Sequence, residues 1–327
     1  MAEEIKKIST IGVLTSGGDS PGMNAAVRAV VRAGIEKGLK VMGVQRGYEG
    51  LLNCDIKELN ARSVSDIIQR GGTILQTARS KEFKTDEGQL RAISVARAYG
   101  LEGLVVIGGD GSFQGARALS LKGFPTVGIP GTIDNDIGCS DYTIGYDTCL
   151  NTVQYAVDKI RDTAISHERC SVVEVMGRNA GHIALTVGVA VGAEIVLIPE
   201  HPYDFDKDVL KPIFENKKRG KKHNMIIVAE GIGGSMELAK KIEDVTGIET
   251  RATILGYVQR GGSPSVRDRV MASEMGVKAI ELLAEGIGNR VIAFKDNKIC
   301  DFDILEGLNM IKTIDEELYR KFKVLSV

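Results

Sequence analysis

Two runs rich in glycine and carboxylate carry the chemistry of this chain: Ile107-Gly108-Gly109-Asp110-Gly111-Ser112 and Pro130-Gly131-Thr132-Ile133-Asp134-Asn135-Asp136. Each follows a short apolar segment of strand character, residues 104–106 in the first case and 126–129 in the second. A strand that ends in glycines and opens a helix makes a phosphate cradle. Its backbone N–H groups can approach the anion, and the helix N-terminus favours negative charge. Three aspartates beside such a cradle would repel phosphate unless a divalent cation lay between them. If residues 132–136 are extended, Thr132, Asp134 and Asp136 project to one face. This combination points to metal-assisted phosphoryl transfer.

The elements that must position these groups alternate along the chain. Apolar strands are expected at residues 10–14, 40–44, 103–107, 126–129, 171–175, 194–198, 225–229 and 290–293. Helical patterns lie between them, as at 23–37 and 151–161, where Val153, Ala156, Val157 and Ile160 recur at helical spacing. Short apolar strands separated by helices imply parallel sheets covered on both faces. Ligands bind such sheets beyond the carboxyl ends of the strands. The glycine-rich turns Ser16-Gly17-Gly18-Asp19, Gly108 to Ser112, and Met176-Gly177-Arg178-Asn179-Ala180-Gly181 all fall there. The expected fold is therefore α/β, with two three-layer, Rossmann-like domains of mostly parallel strands facing each other across a cleft. The expected division is residues 1–140 with 256–305, and 141–255 with 306–327.

Global composition narrows the partners. A net charge of −1 over 327 residues gives no broad electrostatic case for nucleic acid or an anionic membrane. No apolar stretch reaches membrane-spanning length. The charged N-terminus, Met1 to Lys7, does not read as a signal peptide. The five cysteines show neither CxxC nor zinc spacing and read as reduced cytosolic thiols.

Other motifs are less decisive by themselves. The turn at 15–24 lacks the Lys-Ser/Thr ending of a P-loop, and its glycine spacing does not fit the dinucleotide fingerprint. Arg79, Arg169, Arg178, Arg251 and Arg260 each lie near a glycine-rich or strand–loop junction. Singly each suits a solvated surface; as a set they suit two phosphates, because guanidinium binds phosphate oxygens bidentately. Arg28 and Arg32 share a helix face, and Lys217 to His223 is a basic run; both read first as solvated polar surface. None of the four histidines has a metal-ligand or catalytic-triad context, and no serine elbow is present.

With these residues in place, the chain resembles the bacterial ATP-dependent 6-phosphofructokinase family over essentially its full length. The resemblance rests on GVLTSGGDSPGMNAAVR (12–28), VVIGGDGS (105–112), GIPGTIDNDI (128–137), SVVEVMGR (171–178) and QRGGSP (259–264). It implies transfer of the γ-phosphoryl of ATP to the 1-hydroxyl of fructose 6-phosphate, with Mg²⁺. Asp134 would be the general base, Thr132 would support the reacting centre, and Arg79 and Arg178 would stabilise the transferring phosphoryl. Asp110 would hold the metal with Asp136 nearby. Gly18, Arg79, Ser80, Gly109, Asp110, Gly111 and Ser112 would line the ATP side. The sugar phosphate would meet Thr132, Ile133, Asp134, Met176, Gly177, Arg178, Glu230, Tyr257, Val258, Gln259 and Arg260. Arg169 and Arg251 would serve a neighbouring subunit's site, which implies a cytoplasmic homotetramer. Basic groups matching the family's effector sites are Arg28, Arg32, Arg62, Arg161, Arg219, Lys221, Lys222 and His223, with Gly192 and Glu194 alongside. By analogy ADP would activate and phosphoenolpyruvate inhibit.

Two positions depart from the family pattern. Tyr257 stands where many members carry a histidine against the sugar 6-phosphate, and Ser80 replaces a phenylalanine that commonly follows the active-site arginine. The resemblance therefore implies weaker phosphate binding and looser nucleotide packing. Pyrophosphate-dependent relatives typically carry Asp at the position of Gly111 and Lys at that of Gly131, so both glycines favour ATP. A catalytically idle nucleotide sensor would be expected to lose Asp134 or Asp110. An NAD-dependent dehydrogenase is suggested only by the alternating pattern, without its glycine fingerprint.

Overall fold

A computed structural model describes residues 8–326; the N-terminal reading of Met1 to Lys7 lies outside the described residues. The strands are β1 (Thr10–Thr15), β2 (Lys40–Val44), β3 (Ile56–Leu59), β4 (Gly103–Gly108), β5 (Thr126–Pro130), β6 (Cys170–Val175), β7 (Ile195–Leu197), β8 (Asn224–Ala229), β9 (Thr250–Ile254), β10 (Arg290–Lys295) and β11 (Lys298–Asp303). They form a seven-stranded sheet ordered β11-β10-β5-β4-β1-β2-β3 and a four-stranded sheet ordered β7-β8-β6-β9. The smaller sheet is wholly parallel, and only the edge strands β3 and β11 of the larger one run antiparallel to their neighbours. The α/β class with mostly parallel sheets is thus the observed fold. Two compact units result: the chain up to Ile133 with Ile137–Thr148 and Arg260–Lys312, and Asp134–Asp136 with Cys149–Gln259 and the chain from Thr313.

Strand alternation builds the larger unit's core. Val105 and Ile107 of β4 join Ile11, Val13, Val127 and Ile129 under helices Met23–Glu36 and Val266–Ala284. Leu104 and Val106 face the other way, against Phe113, Ala116 and Leu119 of helix Asp110–Leu121 and Ala92 and Ala96 of helix Asp86–Ala98. Successive side chains on a strand alternate faces, so a strand covered on both sides must be apolar throughout. In the smaller unit Cys170, Val172, Ile226 and Val228 pack with Ile213, Leu238 and Ile242.

Three strands had no expectation attached. β3, β9 and β11, reading IKEL, TRATI and KICDFD, lie at sheet edges and carry polar residues that break an apolar run. The helix expected at 151–161 extends over Tyr146–His167, and the strand expected at 194–198 shortens to β7. One site-level expectation is corrected. Residues 132–136 are not extended, because the chain bends at Ile133 and Asp134 and Asn135 adopts φ 52. A left-handed residue ends the period-two alternation that placed Thr132, Asp134 and Asp136 on one face.

Candidate active site

Three adjacent strand ends of the larger sheet come together. The Ser16 N–H donates to the Ile107 carbonyl at 2.9 Å, and the Gly131 N–H donates to the Gly108 carbonyl at 2.9 Å. The approach leaves no room for side chains. A Cβ on Gly108 would stand 2.5 Å from both the Ser16 carbonyl oxygen and Ser112 Oγ. A Cβ on Gly18 would stand 1.9 Å from Arg260 Nη1, so Arg260 lies across the first glycine turn, donating to the Asp19 carbonyl at 3.4 Å. Gly109 approaches Thr132, with an added Cβ falling 3.5 Å from Thr132 Cβ. Asp110 and Gly111, both exposed, open helix Asp110–Leu121. Ser112 is 3% exposed, and among the described residues its hydroxyl has no hydrogen-bond partner. A buried polar atom of this kind at a helix N-terminus, between two glycine turns, fits an anionic nucleotide.

Long-range bonds hold the neighbouring loop. Asn24, on the first helix, donates from Nδ2 to the Arg70 and Gly71 carbonyls at 3.0 and 3.2 Å and accepts from the Ile74 N–H at 2.8 Å. Thr15 Oγ1 donates to the Gln76 carbonyl at 2.9 Å. These bonds fix the loop that presents the exposed Arg79. The Ser80 hydroxyl accepts from the Phe83 N–H at 3.2 Å and bonds the Glu49 carboxylate, which with Asn53 holds that carboxyl below its usual range. Close to Ser80, Phe83 stacks on Tyr48 with centroids 4.0 Å apart, and the Tyr48 hydroxyl donates to the Ser112 carbonyl at 2.6 Å. Burial pushes the Tyr48 phenol far above its ordinary value, so it remains a donor. Sequence reasoning missed Asn24, Tyr48 and Phe83. The available signal for Asn24 was a polar residue in the apolar phase of a helix; for the aromatic pair there was none.

The smaller unit gathers a second set. Asp134 is 2% exposed, and its Oδ2 lies 3.5 Å from Arg178 Nε. Arg178 holds φ 54, and its N–H donates to Glu230 Oε1 at 2.6 Å, as does the Gly177 N–H at 3.2 Å. One Glu230 oxygen therefore anchors the turn after β6. Gln259 is fully buried; its Oε1 accepts from the Met176 N–H at 3.1 Å and its Nε2 donates to the Gly256 carbonyl at 3.1 Å. Its side chain ties two loops together and is closed to ligand, whereas Tyr257 and Val258 beside it are 82% and 59% exposed. Ile133 is fully buried, backbone and side chain alike. Arg169 and Arg251 converge on Glu249, with N–O distances of 2.7 and 2.5 Å. These contacts, Arg169's first, hold the Glu249 carboxyl below its usual range.

Of the basic residues matched to effector sites, several cluster in the smaller unit. Glu194, 6% exposed, pairs with Lys221 and accepts from the Met225 N–H. Arg161 donates to the Val191 carbonyl, beside Gly192 at φ 58. His223 has its pKa lowered first by burial and then by Lys221 and Arg161, against an opposing pull from Glu194. Lys222 is drawn instead to Glu168 at 2.6 Å. Arg219 lines a cavity of about 270 Å³ with Glu194, Lys207, Lys211 and Lys323. Arg28, Arg32 and Arg62 belong to the larger unit, Arg28 half-buried and the other two exposed. Among the described residues no group of three or more His, Cys, Asp or Glu forms a metal cage. A divalent ion held through one or two carboxylates and substrate phosphates needs no such cage.

These features define an α/β protein with glycine turns gathered at the carboxyl edge of a parallel sheet. Residues 10–283 match the family described as Phosphofructokinase, and the chain belongs to that family. Curated relatives named ATP-dependent 6-phosphofructokinase, from Clostridium botulinum (strain Hall) and Clostridium tetani, are 61% and 60% identical, each match covering 97% of this chain and 99% of the relative. The phosphofructokinase of Saccharomyces cerevisiae superposes with a TM-score of 0.87 at 36% identity over 98% of this chain, which spans 48% of the yeast chain. A pyrophosphate-dependent phosphofructokinase from Marinobacter aquaeolei superposes at 0.84 with 22% identity, covering 95% of this chain and 86% of that one, a likeness of fold alone.

Proposed function

We propose that this chain is an ATP-dependent 6-phosphofructokinase that converts fructose 6-phosphate and ATP to fructose 1,6-bisphosphate and ADP. Family membership and relatives at 61% identity support the reaction class. The observation that carries the mechanism is the buried Asp134 carboxylate with the Arg178 guanidinium 3.5 Å away. Asp134 accepts the proton of the sugar 1-hydroxyl as that oxygen attacks the γ-phosphorus; the bond to the β–γ bridging oxygen breaks and ADP leaves. Arg178 and Arg79 neutralise charge on the transferring group. The glycine turns at 16–18 and 108–112 cradle the nucleotide phosphates, and the Ser112 hydroxyl has a donor and acceptor available for them. Mg²⁺, for which the resemblance implies Asp110 and Asp136, would supply charge neutralisation on the phosphates.

The same reading makes the protein a cytoplasmic homotetramer in which Arg169 and Arg251 reach a neighbour's sugar phosphate. It assigns a phosphorylated effector, ADP or phosphoenolpyruvate, to the cluster around Arg161, Glu194, Lys221 and His223. No described helix is long and apolar enough to cross a membrane. Phosphoryl transfer to fructose 6-phosphate, run with ATP and pyrophosphate side by side, tests the donor. Activity with ATP alone is expected, and activity with pyrophosphate alone overturns the glycine argument. Asp134→Ser is expected to lower turnover by several orders of magnitude while sugar-phosphate binding persists; near-normal turnover removes Asp134 as base.

A further inference from the structure

Asp268, the third residue of helix Val266–Ala284, is fully buried. Its Oδ1 accepts from the Tyr142 hydroxyl and from the Gly145 N–H at 2.7 Å. Its Oδ2 accepts from the Thr148 hydroxyl and from the Thr148 N–H at 2.8 Å. The support behind it is hydrogen-bonded in turn. The Ser265 hydroxyl caps the helix by accepting from the Asp268 N–H at 3.2 Å, and the Ser265 N–H donates to Thr148 Oγ1 at 2.9 Å. Arg267 lies over the Tyr142 ring, 4.5 Å from its centroid.

The residues that donate to Asp268, at 142, 145 and 148, bracket two that reach elsewhere. The Thr143 hydroxyl donates to the Thr132 carbonyl at 2.6 Å, and the Ile144 N–H donates to the Pro130 carbonyl at 2.9 Å. Ile144 also forms an isolated parallel bridge with Gly131. The backbone of 130–132 therefore rests on a loop that Asp268 grips on both sides. Asp134 follows two residues later along the chain. A buried carboxylate is costly unless its oxygens are satisfied, and a chain that needed only filled volume there would be served by an apolar residue. These four donors, with the Ser265 hydroxyl 3.5 Å from Oδ2 as a fifth, explain an ionisable group: it alone can hold that many N–H and O–H groups at one point.

We propose that Asp268 is a positioning residue for phosphoryl transfer, acting through the loop at 142–148 to set the backbone of 130–132 and hence the aim of Asp134. The proposal rests on Asp134 being the base. Its signature is loss of kcat with little change in KM, because it shapes the reacting geometry without touching either substrate.

Asp268→Asn turns one of two saturated acceptors into a donor facing donors, so part of the loop is released. It is expected to lower kcat about 10- to 100-fold, the scale of a small misplacement of a reacting group, with both KM values within about threefold. Thr143→Val keeps the shape and removes the hydroxyl's bond to Thr132; a kcat loss of about tenfold is expected. Asp301→Asn, which breaks the 2.7 Å pair with Arg290 in the same unit, serves as a control that lowers the melting temperature and leaves kcat unchanged. In an Asp134→Ser background, Asp268→Asn is expected to cause no further loss, because the group it aims is gone. The proposal is overturned if the single variants keep kcat within threefold while folded, or if Asp268→Asn multiplies its full loss onto Asp134→Ser. Should Asp268→Asn fail to fold, Thr143→Val decides in the same terms. Near-normal turnover by Asp134→Ser alone is a separate result: it defeats the base assignment and, with it, this proposal.

Discussion

Gly111→Asp separates stability from nucleotide use. Gly111 is the second residue of helix Asp110–Leu121, it is exposed, and an added Cβ would meet nothing within 4 Å. The fold therefore has no steric objection. Replacing glycine in a helix gains a few tenths of a kcal/mol, and a carboxylate in the first turn gains about as much again from the helix dipole. Repulsion from Asp110 takes back a part, so stability should rise by about 0.5 kcal/mol or stay level. The nucleotide meets the opposite effect. At about 6 Å from a phosphate and an effective dielectric constant of about 20, a unit charge costs about 3 kcal/mol, a hundredfold in affinity. Exposure and a swinging side chain discount this, which leaves a rise of about 10- to 100-fold in KM for ATP. Coupled measurement of ADP release across ATP concentrations, with fructose 6-phosphate saturating, gives KM; a thermal melt gives stability. Unchanged KM for ATP would show that phosphate does not sit at this helix start. A large drop in melting temperature would show that Gly111 is needed for the backbone instead.

Two other outcomes follow from exposed and half-buried groups. Tyr257, 82% exposed, offers a hydroxyl donor but no positive charge, so Tyr257→His should bind fructose 6-phosphate more tightly, most clearly below pH 6.5, about the ordinary histidine pKa; equal KM values across pH sink the idea. His223 has a pKa depressed from its ordinary 6.5, chiefly by burial, so its contribution to stability is whole above that pH and is lost as pH falls through the folded value. Denaturant melts at successive pH values should therefore show a slope below 6.5 that His223→Gln flattens, and an unaltered slope refutes the assignment.

Much of the candidate site's backbone geometry was readable because it is local. A glycine pair after an apolar strand and before a helix makes its anion-binding geometry from consecutive residues, so Gly108 to Ser112 and Ser16 to Asp19 announced themselves. The parallel sheet was equally legible from strands such as GLVVIG, since burial on both faces demands an apolar run. Edge strands escaped because one open face relaxes that demand: KICDFD pairs with β10 while carrying two aspartates. Position 80 shows a different limit. Losing an aromatic there reads as loose packing, yet Phe83 and Tyr48, far apart in the chain, stack beside the helix that starts at Asp110.

The sequence by itself determined the reaction class, the α/β architecture and the glycine cradles, because residue type and spacing within a few positions impose those outcomes on the backbone. Tertiary structure alone decided how the groups are used. Asn135 enters the left-handed region and breaks the alternation of 132–136. Glu230 gives an oxygen to the backbone of Gly177 and Arg178, and Gln259 disappears into the interior to hold Met176. Asp268 receives the Tyr142 hydroxyl across 126 positions of chain. Such bonds depend on which distant donor folding brings to a buried acceptor, and an unpaired buried acceptor is too costly to leave to chance. That pairing is a property of the packed chain, and no local pattern records it.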